Sequence, residues 1–185
     1  MQNPDKLFGK LGNRMFQMAF IYAWAKEHGT DIYLQDPKYF EKYANEIKML
    51  YGDATWQDLE LIDKVSLHVR RGDYVGNSFY VNLMETDYYQ KAMAEFPDRK
   101  FLVFSDDIKW CKEQEIFKDC YFSIGQSELD DLNLMITCNG HIGANSTFSW
   151  WASFLGKGKN VFPSKENWYS DGFERTVCPK TWIRI

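Results

Sequence analysis

The apolar positions change their period along this chain, and the change predicts how it is organised. From Val65 onward, short apolar runs bounded by turn residues recur at 65–69, 100–104, 120–124, 141–144 and 160–162, and each reads as a strand. Between them the spacing becomes helical. Thr86 is placed to cap a helix running to about Phe96, with Tyr89, Ala92, Met93 and Phe96 on one face. Ser127, with Asp130 three residues later, opens another that carries Leu132, Met135 and Ile136, while 107–117 and 148–155 supply two more. Five strands alternating with four helices predict an α/β fold built on a parallel, Rossmann-type sheet, because parallel neighbours need crossovers and helices usually make them.

The first 64 residues read as a separate unit, giving expected domains of 1–64 and 65–185. A helix starts at Gly12 or Asn13, runs through Lys26 and stops at Gly29. A strand follows near 32–34, and then a helix from Asp36 with Pro37 in its first turn. Tyr39, Phe40, Tyr43, Ala44, Ile47, Leu50 and Tyr51 mark the apolar stripe of that second helix, and 52–62 is the expected joint.

Three polar clusters stand directly after the first, second and fourth predicted strands. They are His68-Val69-Arg70-Arg71-Gly72-Asp73-Tyr74, Ser105-Asp106-Asp107 and Asn145-Ser146-Thr147. In an open parallel sheet ligands bind outside the carboxyl ends of the strands, so the three clusters can converge on one ligand. Arginine's planar fork bonds a phosphate bidentately, and a helix opening at 145–147 offers free N–H groups and a positive dipole end. A diphosphate fits that chemistry. Each piece also has a structural reading: Arg70 and Arg71 as salt-bridge partners, Asp106 and Asp107 or Ser146 and Thr147 as helix caps, Trp150, Trp151 and Phe154 as core.

Composition narrows the field. A net charge of −4 argues against a nucleic-acid scaffold and makes the two arginines a local feature. At 185 residues the chain can bury one good core, and an aromatic share of 17% fills it while leaving rings that could line a sugar pocket. Cys111, Cys120, Cys138 and Cys178 lack metal-site or C-x-x-C spacing, which suits reduced, packing cysteines. The apolar stretch 15–25 is too short to span a bilayer. These features set the expectation of a cytoplasmic protein, with peripheral membrane contact still open to it. Asn145-Ser146-Thr147 matches a glycosylation acceptor formally, but no secretory signal accompanies it.

Taken together, Leu11-Gly12-Asn13-Arg14-Met15-Phe16-Gln17, the 68–74 segment, Phe104-Ser105-Asp106-Asp107 and Ala144-Asn145-Ser146-Thr147-Phe148-Ser149-Trp150-Trp151 resemble the alpha-1,2-fucosyltransferase family, in its order and over nearly the whole chain. The resemblance implies a GT-B-like fold with a shortened N-terminal α/β lobe, GDP-L-fucose as donor and a galactose-terminated oligosaccharide or glycolipid as acceptor. It further implies inversion at the fucose anomeric carbon, with no cofactor and no metal. Carried over, Arg71 with Arg70 would hold the diphosphate, His68 would contact the nucleotide, and Asp106 or Asp107 would bind guanine. Asn145, Ser146 and Thr147 would complete the phosphate cradle, Asn13 would face the reaction centre, and Asp73 is the best-placed base. Lys10 and Arg14 depart from the family pattern, and the stretch between Asn13 and His68 is far shorter than in typical members.

Overall fold

The computed structural model describes residues 10–28, 61–125, 127–173 and 178–185. The chain divides into two compact units, Met1–Leu59 and Glu60–Ile185. In the first, α1 (Leu11–His28) starts slightly before the expected Gly12 or Asn13 and ends two residues beyond Lys26. Met15, Ala19 and Ala23, spaced four apart, are buried, whereas Asn13, Arg14 and Glu27 face solvent. The expected strand near 32–34 and the helix from Asp36 lie outside the described residues.

The second unit is built on a six-stranded sheet. Its strands are β1 (Val65–Val69), β2 (Phe101–Ser105), β3 (Tyr121–Phe122), β4 (Asn139–Ile142), β5 (Lys157–Phe162) and β6 (Ile183–Arg184), in the order β3-β2-β1-β4-β5-β6. Every pairing is parallel. This is the doubly wound Rossmann order, in which the direction of winding reverses between β1 and β4. The intervening helices are α2 (Tyr88–Ala94), α3 (Ile108–Lys112), α4 (Glu128–Ile136) and α5 (Thr147–Leu155).

Several boundaries differ from the sequence expectation, for identifiable reasons. The helix expected to start at Thr86 is broken there: Asn82 caps a 3-10 turn, Leu83–Glu85, and the Thr86 hydroxyl closes that turn on the Leu83 carbonyl before accepting from Tyr88 N. The 107–117 helix likewise splits into α3 and a 3-10 turn, Glu115–Phe117. β6 escaped prediction because two residues give no period. It exists because β5 offers a parallel edge, pairing Val161 with Ile183 and Phe162 with Arg184.

Val65, Leu67 and Val69 point to one face of the sheet, where they pack with Val103, Ile142 and Val161 beneath Tyr88, Tyr89, Ala92 and Phe96. Removing such side chains from water supplies roughly 1.5–3 kcal/mol each. The Tyr88 hydroxyl bridges the Gly143 and Val161 carbonyls at 2.6 and 3.2 Å, so α2 is anchored across β4 and β5. On the opposite face, Ser66 and His141 pair at 2.8 Å. The second imidazole nitrogen of His141 lies 3.1 Å from the Lys157 carbonyl. A carbonyl only accepts, so Nε2 carries the proton and Nδ1 accepts from the Ser66 hydroxyl. Burial pushes His141 down to about 4, which keeps it neutral in this pair.

Candidate functional site

The winding reversal between β1 and β4 is where a sheet of this order is expected to form a ligand crevice, at its carboxyl edge. The three polar clusters lie along this edge. After β1 the chain turns through Gly72 at φ +35°, where a Cβ would sit 2.3 Å from Asp106 Oδ2. Only glycine allows both that backbone conformation and that approach.

The approach matters because Asp106 ties the first two clusters together. Its Oδ1 accepts from the Arg71 backbone N–H at 2.8 Å and its Oδ2 from Arg70 Nη1 at 2.6 Å. The other arm of Arg70 is ion-paired with Asp73, and its guanidinium also lies 5.1 Å from the Tyr74 ring. Arg70 is therefore spent on two carboxylates, and the expected pair of phosphate-binding arginines is divided. Asp73, the residue expected to serve as base, is exposed and held by Arg70.

Arg71 is placed differently. Its guanidinium lies 3.6 Å from the centroid of the Trp110 ring, and its Nε is 3.8 Å from Asp107 Oδ2. Among the described residues its guanidinium makes no hydrogen bond, although the side chain is only 15% exposed and Nε is buried. Asp107 meanwhile caps α3, its Oδ1 accepting from Trp110 N at 3.2 Å, and its own N–H donates to Ser105 Oγ. The acids expected to take guanine thus carry internal duties: Asp106 has both oxygens engaged, and Asp107 has one.

His68 ends the row behind these loops. It is 4% exposed, its ring lies 5.5 Å from Phe148, and its Nδ1 has no hydrogen-bond partner. Burial, helped by the charge of Arg70, pushes it down to about 3, so it is neutral. The ring can donate or accept a single bond without bringing charge.

The third cluster joins through different atoms from those expected. Asn145 is 2% exposed, and its amide nitrogen donates to the Val81 carbonyl at 2.9 Å and the Trp168 carbonyl at 3.1 Å. It straps the loop after β1 to the loop after β5, leaving that nitrogen no capacity for a phosphate or a glycan. Its backbone carbonyl accepts from the Tyr74 hydroxyl at 3.1 Å, and Tyr74 stacks on Tyr80 with centroids 3.7 Å apart. Ser146 caps α5 by accepting from Phe148 N, which leaves Thr147 in the first turn of that helix, beside the crevice. Trp150 and Trp151 are fully buried inside α5, the core reading of those rings.

Asn13 lies in the first turn of α1, in the other unit, and its carbonyl accepts from Gln17 Nε2. Trp110 carried no signal in the sequence. It is one of many aromatic residues, and its link to Arg71 spans two loops. Among the described residues no group of three or more His, Cys, Asp or Glu side chains could hold a metal ion, and no helix is long and apolar enough to cross a membrane.

Comparison with known proteins identifies the family. The family model described as glycosyl transferase family 11 matches residues 8–185. An alpha-1,2-colitosyltransferase of Escherichia coli is 33% identical over 178 aligned residues, covering 82% of this chain and 60% of that protein. An O-antigen biosynthesis glycosyltransferase of the same organism, WbnK, is 32% identical over 138, covering 68% and 46%. A galactoside 2-alpha-L-fucosyltransferase of Bos taurus is 34% identical over 110, covering 53% and 30%. The chain thus spans about half the length of these two Escherichia coli relatives. No solved structure matches it significantly. With a family model that matches nearly every residue, 8–185, the chain belongs to glycosyl transferase family 11.

Proposed function

We propose that this chain moves L-fucose from GDP-L-fucose to the 2-hydroxyl of a galactoside acceptor with inversion, and that residues 65–185 form its Rossmann-type donor-binding lobe within a GT-B-like fold. The observation that carries the reading is Arg71, a largely enclosed guanidinium with its hydrogen-bonding capacity unfilled at the winding reversal of the sheet. An anion of diphosphate type is what such a group is built to receive. The linkage is supported by the relatives' names, since the colitosyl and galactoside fucosyl enzymes are both named for transfer to position 2.

In the proposed reaction the acceptor 2-oxygen attacks the fucose anomeric carbon from the face opposite the nucleotide, forming the new glycosidic bond as the bond from that carbon to the diphosphate oxygen breaks. The electron pair leaves with GDP, and the acceptor proton passes to a base, for which Asp73 is the candidate. Arg71 stabilises the charge that grows on the leaving phosphate, and the amino end of α5 near Thr147 adds partial positive charge. Neutral His68 contacts the nucleotide, and Asp107 Oδ2 is the carboxylate oxygen best able to accept from guanine. Turnover is expected to survive chelation, because Arg71 supplies cationic stabilisation and Asp106 and Asp107 are committed to arginines and to the α3 cap.

A GDP-sugar-binding module without turnover is the second reading, favoured by one observation: Asp73, the candidate base, is ion-paired with Arg70. Calorimetric titration with GDP-L-fucose, against UDP-galactose and in EDTA, followed by a transfer assay on galactosides, separates the possibilities. Selective binding with transfer supports the enzyme, and binding without transfer supports the module. A folded sample that ignores GDP-L-fucose removes both, and tighter binding of nucleotide-linked colitose would replace the sugar.

A further inference from the structure

Resting on that donor-site reading, we infer that Trp110 is a positioning residue: its indole face holds the Arg71 guanidinium short of Asp107 and so keeps it open to the diphosphate. Two arginines leave β1 side by side, yet they meet opposite fates. Arg70 collapses onto Asp73 and Asp106. Arg71 has a carboxylate just as near at hand, but its Nε stops 3.8 Å from Asp107 Oδ2 and makes no hydrogen bond. What differs is the ring beneath it. The guanidinium carbon lies 3.6 Å from the Trp110 centroid, within the range for a stacked cation–π contact.

The ring is itself fixed. Its backbone N–H is bonded to the Asp107 carboxylate, its carbonyl accepts from Gln114 Nε2, and its body packs against the core cluster that includes Cys111 and Phe117. Trp110 therefore stands between a rigid core and a cation, and its flat face supports the guanidinium carbon without taking up any of its N–H groups. Without the ring, the attraction between Arg71 and Asp107 has nothing to oppose it, and closure into a bidentate pair would hide the N–H groups that the ligand needs. The pairing is cross-loop, Arg71 following β1 and Trp110 lying in α3, so it also couples the motifs that follow the neighbouring strands β1 and β2.

The test is a GDP titration of Trp110→Leu, Trp110→Phe, Asp107→Asn and the double variant Trp110→Leu/Asp107→Asn, each checked for folding by thermal unfolding. Loss of a desolvated cation–π contact predicts about 5- to 30-fold weaker GDP binding for Trp110→Leu. Trp110→Phe should recover most of it, because a flat ring remains. Asparagine keeps the helix cap but ends the attraction, so in the Asp107→Asn background Trp110→Leu should cost clearly less than it does alone. A merely structural tryptophan predicts the same loss in both backgrounds. As a readout that does not depend on tolerating leucine, GDP should change the fluorescence of the parent protein and much less that of Trp110→Phe. Parent-like GDP affinity in a folded Trp110→Leu, or an unchanged loss in the Asp107→Asn background, overturns the inference. If Arg71→Ala also binds GDP like the parent, it is the donor-site reading itself that fails.

Discussion

Replacing Gly72 by alanine should dismantle the brace behind the proposed donor site, and the structure supplies its own control. At φ +35° an alanine carries a left-handed penalty of roughly 1 kcal/mol, and its Cβ would lie 2.3 Å from Asp106 Oδ2, so that carboxylate must move. Asp106 then loses its bonds to Arg70 Nη1 and to the Arg71 N–H. With the Asp106 side chain about a quarter exposed, the lower end of the charge-assisted range applies, about 1.5 kcal/mol for each bond. The sum is about 4 kcal/mol. Gly76 also has a positive φ, +75°, but nothing lies within 4 Å of a Cβ built there, so Gly76→Ala should cost only about 1 kcal/mol. For a chain of this size the two substitutions should lower the Tm by about 8–16 °C and 2–4 °C respectively, read by calorimetry on both variants in parallel. GDP affinity should fall at least about tenfold in Gly72→Ala, because Arg71 loses its backbone anchor, and stay at the parental level in Gly76→Ala. Equal stability of the two variants would show that the Asp106 brace contributes nothing and refute the reasoning.

Arg71→Lys should weaken GDP-L-fucose binding about tenfold or more with little change in Tm, since a point charge cannot replace a stacked fork; parental affinity by calorimetry would contradict the assigned role. Asn145→Ala leaves the Val81 and Trp168 carbonyls without their buried donor and should cost about 2–4 kcal/mol in urea unfolding, with no measurable loss arguing against the strap. Stability should also fall with acid earlier than carboxylates alone would dictate. His68 and His141 titrate near 3 and 4 when folded but near 6.5 when unfolded, so below pH 6.5 the unfolded chain takes up protons that the folded chain refuses. Their contribution is fully present above 6.5 and is lost as the pH drops towards 4. From pH 7.5 to 5.5 the pair should account for about 3 kcal/mol in denaturant titrations, and glutamine at either position should flatten the slope.

Much of the sheet was legible because its residues are locally self-consistent. Val65, Leu67 and Val69 alternate with Ser66 and His68 at the two-residue period of a strand, and Ser127 with Asp130 announced the start of α4 through the same capping geometry that the fold displays. The clusters at 68–73, 105–107 and 145–147 were recognisable because each directly follows a strand, and a parallel sheet puts those ends on one edge. The joint motif match also reached the family. Tertiary structure alone decided the division of labour within the clusters. Nothing local separates Arg70 from Arg71, yet one faces Asp73 and Asp106 and the other lies on Trp110. Asn145 reads as a ligand contact until the carbonyls of Val81 and Trp168, remote in the chain, claim its amide. β6 needed the edge of β5 before its two residues could be a strand. The physical reason is common to all three: propensity and period are properties of neighbours in sequence, whereas a hydrogen-bond donor or a cation takes its role from whichever acceptor or ring the fold brings within reach.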